Sequence, residues 1–452
     1  MTLETVLRQK IEPKHPFILN KAEDQTGCFW LDSSLAFSDR GKYSFFGRNP
    51  VASLSIDRKI LTNDSASMGQ YILEFDRLMN RLREYVYDQD KFAVGYFGYE
   101  SMLPFLKISR DKIIKNFAAD NFSVPLVHFN IYDSVLKIDL GNQILEATNS
   151  DADNYDDVIL NNHKQSIPET PNIFDAAPEI IPALSGREYM EKINQIKIHI
   201  YEGDIYQANF TSRFRVKSSQ SPVDVYNRLR EISPAPYSAY LNFGDFQIIS
   251  SSPERMFEKN GAAIKTSPLK GTIKRGSSES EERIQLKQLT ESEKDMAELL
   301  MIIDLERNDL GKIAIPGTIK VNNIFKPEIY SSIIHLVSDI SAELTNEENI
   351  AEIVKSLIPG GSITGVPKKR AVEIIQENET IPRNIYTGSI GYFHKDRADF
   401  NIAIRTMLHK DGCYNIHAGG GIVADSNPQN EYEEMELKAA NMLKAISGEP
   451  AE

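Results

Sequence analysis

The sequence predicts an α+β fold in which antiparallel sheets carry packed helices. Short runs of β-forming residues dominate the first third of the chain, at residues 42–47, 92–99 and 134–140, and one helical stretch interrupts them at residues 71–87. Farther along, strands again dominate, and the helices between them do not alternate strictly with them. That order disfavours a doubly wound parallel sheet, in which strands and helices alternate.

A proline-rich segment divides the chain. The length of 452 residues exceeds one ordinary core and suggests two domains or one large composite. Four prolines fall between residues 165 and 184, and each removes a backbone donor and disfavours helix before it. We therefore predict an N-terminal domain at residues 1–160, a linker at 161–184 and a C-terminal domain at 185–452.

A capped helix opens the C-terminal domain. Ser185 and Glu188 form the pattern of a capping box, and apolar residues then recur at helical spacing until Gly203. Two strand-like runs and a further helix follow, at residues 205–216, 237–251 and 290–305.

Composition and charge exclude several classes of protein. The net charge of -13 opposes non-specific binding to nucleic acid, which needs clustered Lys and Arg. Cys28 and Cys413 are far apart and lack CxxC spacing, which argues against a disulfide framework or a zinc site and is typical of a reducing cytoplasm. The first residues have no basic segment leading into an apolar run, and no run of about 18 apolar residues occurs. We expect a cytoplasmic protein that does not bind membranes.

Two groups of carboxylates lie at helical spacing. Asp295 and Glu298 are one turn apart, so their side chains leave the same face of a helix. On a second helix near the C-terminus, Glu431, Glu434 and Lys438 share one flank beside the apolar stripe. Oxygen ligands from both helices would suit Mg²⁺, whereas an isolated acidic pair is usually a solvated face. The spacing leaves both interpretations open.

Two glycine-rich turns could bind an anion. The first covers residues 359–370, and its backbone N–H groups precede a helix that Pro367 can begin. Val366 stands where a Walker phosphate loop requires lysine, so an ATP site is disfavoured. The second turn, at residues 417–426, could form a similar nest of N–H groups. Either segment could also be a tight turn between sheet and helix.

Lys270 stands in an unusual local sequence. It follows Pro268 and Leu269 and precedes Gly271, whereas surface lysines usually occupy polar runs. A buried lysine that loses its proton can act as a nucleophile. A Schiff base with pyridoxal phosphate, or a lysine that merely extends from a strand edge, would fit the same sequence. Spacing alone does not separate the three interpretations.

A set of motifs in a fixed order resembles a known enzyme family. The motifs are YQANFTSRF, PYSAYL, SPERM, PLKGT, AELLMIIDLERNDLG, HLVS, PGGSITGVPK, GSIGY, IAIRT and HAGGGIVADS. They resemble the chorismate-utilising family, which contains component I of anthranilate synthase, component I of aminodeoxychorismate synthase, and the isochorismate and salicylate synthases. The resemblance covers about residues 185–446 and is weaker before them, at WLDSS, GKYSFFG and GYFGYE. It implies a composite antiparallel β-sandwich with flanking helices.

The resemblance also implies a site for chorismate and Mg²⁺ in the C-terminal domain. The implied metal ligands are Glu298 and Glu434, with Asp295 and Glu431 just beyond them. Glu254 would be the general acid and Lys270 the nucleophile. The residues that would bind chorismate are Arg405, Lys438, Tyr386, His335, Thr364, Gln207, Gly419, Gly420 and Gly421.

Two positions separate the reactions of this family. Enzymes that add water at C2 carry a lysine base where this chain has Gln207, so the resemblance implies amination instead. Anthranilate synthases usually have P-I-A-G-T where this chain has PLKGT. A lysine at the position of Lys270 resembles the aminodeoxychorismate synthases, and Ser238 resembles the same branch. The implied reaction replaces the C4 hydroxyl of chorismate by an amine, through a covalent adduct of Lys270 at C2, on the route to 4-aminobenzoate and folate.

The resemblance implies further binding partners. Neither Cys28 nor Cys413 lies in the G-x-C-x-G turn that presents a glutaminase nucleophile, so a separate glutamine amidotransferase subunit would supply the ammonia. A pocket for tryptophan is implied at Ser33 and Ser34. The alternatives are anthranilate synthase component I, in which ammonia attacks C2 directly, and a catalytically silent module that binds an amino acid.

Overall fold

The computed structural model describes residues 8–10, 24–34, 40–63, 67–120, 122–140, 142, 144–148, 178–276, 278–329 and 333–448. Residues 161–177 of the predicted linker lie outside the described residues. The end of the linker contains a short strand, Glu179–Pro182.

Twenty-two strands form within the described residues. The N-terminal strands are β1 Arg8–Lys10, β2 Phe29–Asp32, β3 Tyr43–Gly47, β4 Ala52–Ile56, β5 Phe92–Phe97, β6 Val127–Tyr132, β7 Val135–Asp139 and β8 Ile144–Thr148. The next are β9 Glu179–Pro182, β10 Gln207–Lys217, β11 Tyr237–Asn242, β12 Gln247–Ser252, β13 Arg255–Asn260, β14 Ala263–Ser267 and β15 Leu269–Lys274. The last are β16 Lys320–Ile329, β17 Ile333–Glu343, β18 Gly365–Val366, β19 Ser389–His394, β20 Arg397–Asn401, β21 Thr406–Lys410 and β22 Cys413–Ile422.

Eleven α-helices accompany these strands in the described part of the chain. They are α1 Lys59–Thr62, α2 Met68–Arg83, α3 Tyr99–Met102, α4 Arg110–Lys115, α5 Gly186–Tyr201, α6 Pro222–Ile232, α7 Glu279–Thr290, α8 Glu293–Gly311, α9 Ile350–Leu357, α10 Lys368–Asn378 and α11 Pro428–Ser447. None of the helices described is both long and apolar enough to cross a membrane.

The strands form two antiparallel sheets that both halves of the chain share. The larger sheet has 12 strands in the order β1-β8-β7-β3-β2-β11-β12-β21-β22-β10-β18, with β9 paired to β10. The other has 10 strands in the order β15-β17-β14-β13-β20-β19-β5-β6-β4, with β16 paired to β17. N-terminal β2 pairs with β11, and N-terminal β5 pairs with β19. The two halves are therefore hydrogen-bonded into the same sheets.

The two sheets pack face to face, and helices cover their outer faces. Phe29 of the larger sheet and Phe92 of the other stack with ring centroids 6.3 Å apart. The outer face of the larger sheet packs on α5, α6, α10 and α11, and the outer face of the other packs on α2, α8 and α9. This sandwich with helices on both sides confirms the predicted α+β fold.

Helix α8, which carries Asp295 and Glu298, differs from the prediction at both ends. The helix predicted at residues 290–305 spans Glu293–Gly311. It begins later because Ser292 caps it: the Ser292 Oγ accepts a hydrogen bond from the Asp295 N–H at 3.3 Å. It ends later because Asp309 and Leu310 are buried on its inner side, where the helix continues under the sheet.

Candidate active site

A bulge in strand β15 presents Lys270. The pairing of β15 with β17 shifts register between Lys270 and Thr272, which leaves Gly271 as the extra residue. Gly271 has φ +66, and a Cβ built on it would lie 3.0 Å from Leu289 Cδ1 and 3.2 Å from Asp295 Cβ. Only glycine adopts this backbone readily while packing so closely. The glycine after Lys270 therefore lets the strand lie directly against α8.

Lys270 faces the first acidic pair. Its Nζ lies 3.9 Å from Glu298 Oε2, and the two side chains are only 16% and 18% exposed. Gly271 packs on Asp295, one turn before Glu298 on α8. The structure thus brings Lys270, Asp295 and Glu298 together, and Lys270 points to a carboxylate at the site rather than to bulk solvent.

Glu254 lies beside the same lysine. It occupies the turn between β12 and β13, is 3% exposed, and its Oε1 accepts a hydrogen bond from the Leu269 N–H at 3.4 Å. Burial raises the pKa of Glu254, while the Ser362 hydroxyl and the charge of Lys270 act against the rise. A buried carboxyl group that retains its proton is suited to general-acid chemistry.

His335 and Arg405 complete this part of the site. His335 is paired with Thr272 across the sheet and is almost fully buried. Burial and the nearby charge of Arg405 lower the pKa of His335 to about 3, although a hydrogen bond to the Gly271 backbone opposes the shift. His335 is therefore a neutral ring at physiological pH, and Arg405 lies close enough to influence it.

The second group of predicted residues gathers where β22 meets α11. A Cβ built on Gly420 would lie 3.1 Å from Glu431 Oε2, 3.7 Å from Lys438 Nζ and 3.9 Å from Glu434 Oε1. Lys438 Nζ donates to the Gly419 carbonyl at 3.0 Å and pairs with Glu434 Oε1 at 2.6 Å. The absence of side chains on the glycines lets the strand approach these three charged groups.

Gln207 is buried in the sheet next to this group. It is fully buried, and neither polar atom of its amide has a hydrogen-bond partner among the described residues. A Cβ on Gly421 would lie 2.2 Å from the Gln207 Nε2, so the amide rests against bare glycine backbone. A buried amide without partners is costly and is well suited to a polar ligand.

Thr364 and Tyr386 are occupied by contacts within the protein. The Thr364 hydroxyl donates to the Gly360 carbonyl at 2.8 Å. Tyr386 stacks on His417 with ring centroids 5.4 Å apart, and burial raises the pKa of its hydroxyl. Direct contact of these two residues with a substrate remains a prediction.

The glycine-rich turn at residues 359–367 joins the two groups. Gly361 packs on Leu305 of α8, and Gly365 packs on the Gln207 backbone. Pro367 precedes helix α10 as its N-cap instead of beginning it, which is a one-residue difference from the prediction.

Buried ion pairs that no sequence pattern predicts hold this turn. Lys368 bonds to Asp309 of α8 and donates to the Pro359 carbonyl at 2.8 Å. Arg383 donates to the carbonyls of Ile363 at 2.9 Å and Asn209 at 2.7 Å, and it pairs with Glu379 at 2.7 Å. Glu379 and Arg383 lie beyond the end of helix α10, so helical spacing gives no signal for this pair.

The carboxylates on α8 and α11 have the chemistry that Mg²⁺ prefers, since all their donors are oxygen. No three of Asp295, Glu298, Glu431 and Glu434 offer ligand atoms within 4.8 Å of one another. Glu298 and Glu434 each face a lysine instead. The donor set fits the ion, and a metal site here remains a prediction.

Another group of potential ligands lies elsewhere. His199, Glu202 and Asp204 have ligand atoms within 4.8 Å of one another. Asp204 pairs with Arg370 at 2.7 Å and with His199 at 2.9 Å. Its carboxylate is therefore already in contact with a guanidinium and an imidazole.

Ser33 and Ser34 lie near a cavity between the sheets. The cavity has a volume of about 150 Å³ and is lined by Ser33, Tyr237, Ser238, Arg255 and Asp399 among others. Ser34 is not one of the lining residues, and its hydroxyl donates to the Ala235 carbonyl at 3.0 Å. The binding of tryptophan here stays a prediction.

Known proteins resemble this chain over nearly its whole length. The model of the chorismate binding enzyme family matches residues 27–444. Anthranilate synthase component 1 of Acetivibrio thermocellus is 31% identical, covering 95% of this chain and 92% of its own. Aminodeoxychorismate synthase component 1 of Bacillus subtilis is 32% identical, and the match covers 90% of this chain and 89% of that protein. The crystal structure of anthranilate synthase component I from Streptococcus pneumoniae has a TM-score of 0.74 and 26% identity, covering 90% of this chain and 93% of its own.

The matched range runs through both halves of the chain and includes every site residue described above, from Ser33 to Lys438. Relatives of two different names match equally well, so similarity alone does not select a reaction. The chain belongs to the chorismate binding enzyme family.

Proposed function

We propose that this chain is component I of an aminodeoxychorismate synthase, which replaces the C4 hydroxyl of chorismate by an amine. The observation that carries the proposal is the position of Lys270, 3.9 Å from Glu298 and beside the buried Glu254. An amine placed between a predicted metal ligand and a predicted general acid is suited to attack a bound ring. In anthranilate chemistry ammonia attacks directly, and no lysine is needed.

The chemistry assigned to the chain's own residues runs in two displacements. Lys270 first gives up its proton to solvent. Glu254 then protonates the departing C4 hydroxyl, which leaves as water, while the Lys270 amine bonds to C2 and the double bonds shift. Ammonia then bonds to C4, the double bonds shift back, and the C2–N bond to Lys270 breaks. The proton lost by the incoming amine returns to Glu254. The enolpyruvyl group stays on the ring, so the product is not aromatic.

The charged residues are assigned to binding. Arg405 and Lys438 would pair with carboxylates of chorismate, and Gln207 would donate to or accept from its polar groups through the unpartnered amide. Glu298 and Glu434 would hold Mg²⁺, with Asp295 and Glu431 supporting them. When bound, the ion would supply positive charge against a substrate carboxylate.

The ammonia would come from a glutamine amidotransferase subunit. Both cysteines of this chain are buried, with Cys28 1% and Cys413 6% exposed, and both lie in or beside sheet strands. Such positions differ from the exposed turn on which a glutaminase presents its nucleophile. The relatives named component 1 support a two-component enzyme.

The product of the purified chain with chorismate, Mg²⁺ and ammonium tests the proposal. A non-aromatic product that an added lyase converts to 4-aminobenzoate supports it. Fluorescent anthranilate as the main product would assign the chain to the anthranilate branch, and no consumption of chorismate would favour a silent amino-acid-binding module.

The role of Lys270 has its own test. Mass spectrometry of peptides from enzyme quenched during turnover should find added mass on the peptide that contains Lys270. Lys270→Arg is the matched variant, since it keeps the positive charge beside Glu298 but lacks the nucleophilic amine. We expect this variant to bind chorismate and to form no adduct. An unmodified peptide in the active enzyme would count against the covalent route.

A further inference from the structure

The segment between α10 and β19 has an unusual backbone. Asn384 and Thr387 have φ 56 and φ 60, in the left-handed region that favours glycine. This conformation is an outlier for a β-branched residue such as Thr387, and it persists only where the surrounding structure holds it. Tyr386, one of the residues predicted to bind chorismate, lies between the two. Contacts from outside the segment must therefore hold residues 383–387 in place.

Glu100 of the N-terminal half holds the backbone of this segment. It lies on the short helix α3 and is 1% exposed. Its Oε1 accepts a hydrogen bond from the Arg383 N–H at 2.7 Å, and its Oε2 accepts one from the Asn384 N–H at 3.0 Å. The Tyr99 N–H of the same helix donates to the Asn384 carbonyl at 2.8 Å. The N–H and the carbonyl of Asn384 are therefore both tied to α3.

The side chain of Asn384 is held from the N-terminal half as well. Its Nδ2 donates to Asp120 Oδ2 at 3.1 Å. The buried Asp120 carboxylate also pairs with Arg58 at 3.2 Å and with Arg213 of β10 at 2.8 Å. Asp120 thus joins the left-handed residue to β10, the strand that begins with Gln207.

Arg383 connects the segment to the glycine-rich turn at residues 359–367. Its Nη1 donates to the Ile363 carbonyl at 2.9 Å and to the Thr387 hydroxyl at 3.2 Å. Its guanidinium carbon lies 4.5 Å from the centre of the Tyr99 ring of α3. Ile363 is the neighbour of Thr364, which is predicted to bind chorismate. A shift of Arg383 would therefore move the part of the turn that carries Thr364.

Tyr386 depends on the same arginine. Its N–H donates to the Arg383 carbonyl at 3.1 Å, and its ring stacks on His417 of β22. The place of the Tyr386 ring is thus set by the backbone path that Glu100 fixes.

We propose that Glu100 is a positioning residue, through which the N-terminal half holds Arg383, and with it Tyr386 and Thr364, in place for chorismate. The inference rests on the proposed function, in which chorismate is the substrate of this site. It applies to amination at C2 as well as at C4, since both reactions begin with bound chorismate. Glu100 acts through Arg383 and takes no part in the chemistry.

Glu100→Gln tests this role with little change in volume. An amide has only one oxygen, so one of the two backbone N–H groups would face the NH₂ of the glutamine. We expect KM for chorismate to rise by about 10- to 100-fold, because a misplaced binding group weakens binding in the ground state and the transition state alike. kcat and the KM for ammonium should change by less than about threefold. The assay is run at about pH 8.5, where the carboxylate of the wild-type chain is ionised, because burial raises the pKa of Glu100 to about 7.

Tyr71→Phe serves as the control. The Tyr71 hydroxyl donates to the carbonyl of Ser101, the residue after Glu100, at 2.6 Å. Its loss should destabilise the same region and leave KM for chorismate unchanged, because a chain that is only less stable has fewer active molecules, which lowers the apparent kcat and not KM. An unchanged KM in folded Glu100→Gln, or an equal rise in both variants, would overturn the proposal.

Asn384→Gly decides the matter if Glu100→Gln does not fold. Glycine adopts the left-handed backbone without steric cost, so the fold should be kept, while the bond to Asp120 is lost and residue 384 becomes less restricted. We expect KM for chorismate to rise by about 3- to 10-fold, the equivalent of one hydrogen bond. An unchanged KM would overturn the proposal, because the segment would then not need to be held.

Hydrogen exchange gives a readout that needs no turnover. The amides of Arg383 and Asn384 should exchange slowly in the wild-type chain and about 10-fold faster or more in Glu100→Gln, whereas Tyr71→Phe should leave them protected. Equal protection in all three chains would overturn the role of Glu100. If the wild-type chain consumes no chorismate, the proposed function fails, and hydrogen exchange still decides whether Glu100 holds the segment.

Discussion

Replacing Gly271 by alanine is expected to damage both the packing of β15 and the placement of Lys270. The backbone at φ +66 costs alanine about 1–2 kcal/mol. The new methyl group would lie 3.0 Å from Leu289 Cδ1 and 3.2 Å from Asp295 Cβ, and overpacking of this kind adds about 1–3 kcal/mol. We therefore expect a total loss of about 2–5 kcal/mol in the free energy of unfolding.

The effect on catalysis follows from the same contact. The strand can relieve the crowding only by moving away from α8, which takes Lys270 away from Glu298. A displacement of about 1 Å at a reacting group costs about 100-fold in rate, so we expect kcat for chorismate consumption to fall by about that factor.

Gly412→Ala is the matched control. Gly412 has φ +68, and a Cβ built on it would have nothing within 4 Å. It lies in the turn between β21 and β22. Urea unfolding and steady-state chorismate assays should show the backbone cost of about 1–2 kcal/mol without the loss of activity. Equal stability and near-normal kcat in both variants would refute the argument that Gly271 positions Lys270.

Three further predictions concern the metal, the buried ion pair and the thiols. Asp295→Asn should raise the Mg²⁺ concentration that half-saturates chorismate consumption by about 10- to 100-fold, and an unchanged value would remove Asp295 from the metal site. Arg383→Leu leaves Glu379 buried without its partner and should cost about 3–5 kcal/mol in urea unfolding, whereas Arg187→Leu, in a pair that is 88% and 57% exposed, should cost less than about 1 kcal/mol. Cys28 and Cys413 are buried, so Ellman's reagent should titrate them only after unfolding, and rapid reaction of the native chain would contradict their burial.

Local signals in the sequence predicted local structure well. The capping box at Ser185 is present, with the Ser185 Oγ accepting from the Glu188 N–H at 3.3 Å and the Glu188 carboxylate accepting from the Ser185 N–H at 2.8 Å. The predicted start of helix α8 is wrong because Ser292, and not a residue near 290, caps the helix. Capping chemistry involves neighbours in sequence, so the residues themselves carry the information.

The pairing of strands could not be predicted in the same way. The alternation of apolar residues indicates a strand, but it contains nothing that joins Leu31 to Ala239 or Gly95 to Gly391. Each pairing is selected by the packing of complete faces, including Phe29 against Phe92 in the space between the sheets. The presence of a strand therefore follows from the sequence more readily than the strand with which it pairs.

In the candidate site, too, sequence motifs predict individual residues, whereas contacts between distant elements appear only in the structure. Lys270 and Glu298 were predicted from their motifs, and the structure brings them to 3.9 Å from each other. Asp309, which bonds to Lys368, was missed because it belongs to the run ERND, which has the composition of a polar helix end. Only the tertiary structure shows that α8 continues under the sheet and buries this carboxyl group.

The shared sheets limit how this enzyme could be divided or recombined. A fragment beginning at residue 185 would leave β11 without β2 and β19 without β5, exposing two long hydrogen-bonding edges and the apolar residues of the interface. Exposed strand edges of this kind promote aggregation of the fragment, so it is not expected to fold as an isolated catalytic domain. An exchange of N-terminal halves between relatives would have to preserve both strand junctions and the aromatic packing between the sheets. We therefore expect the two halves to fold as one cooperative unit rather than as two independent modules.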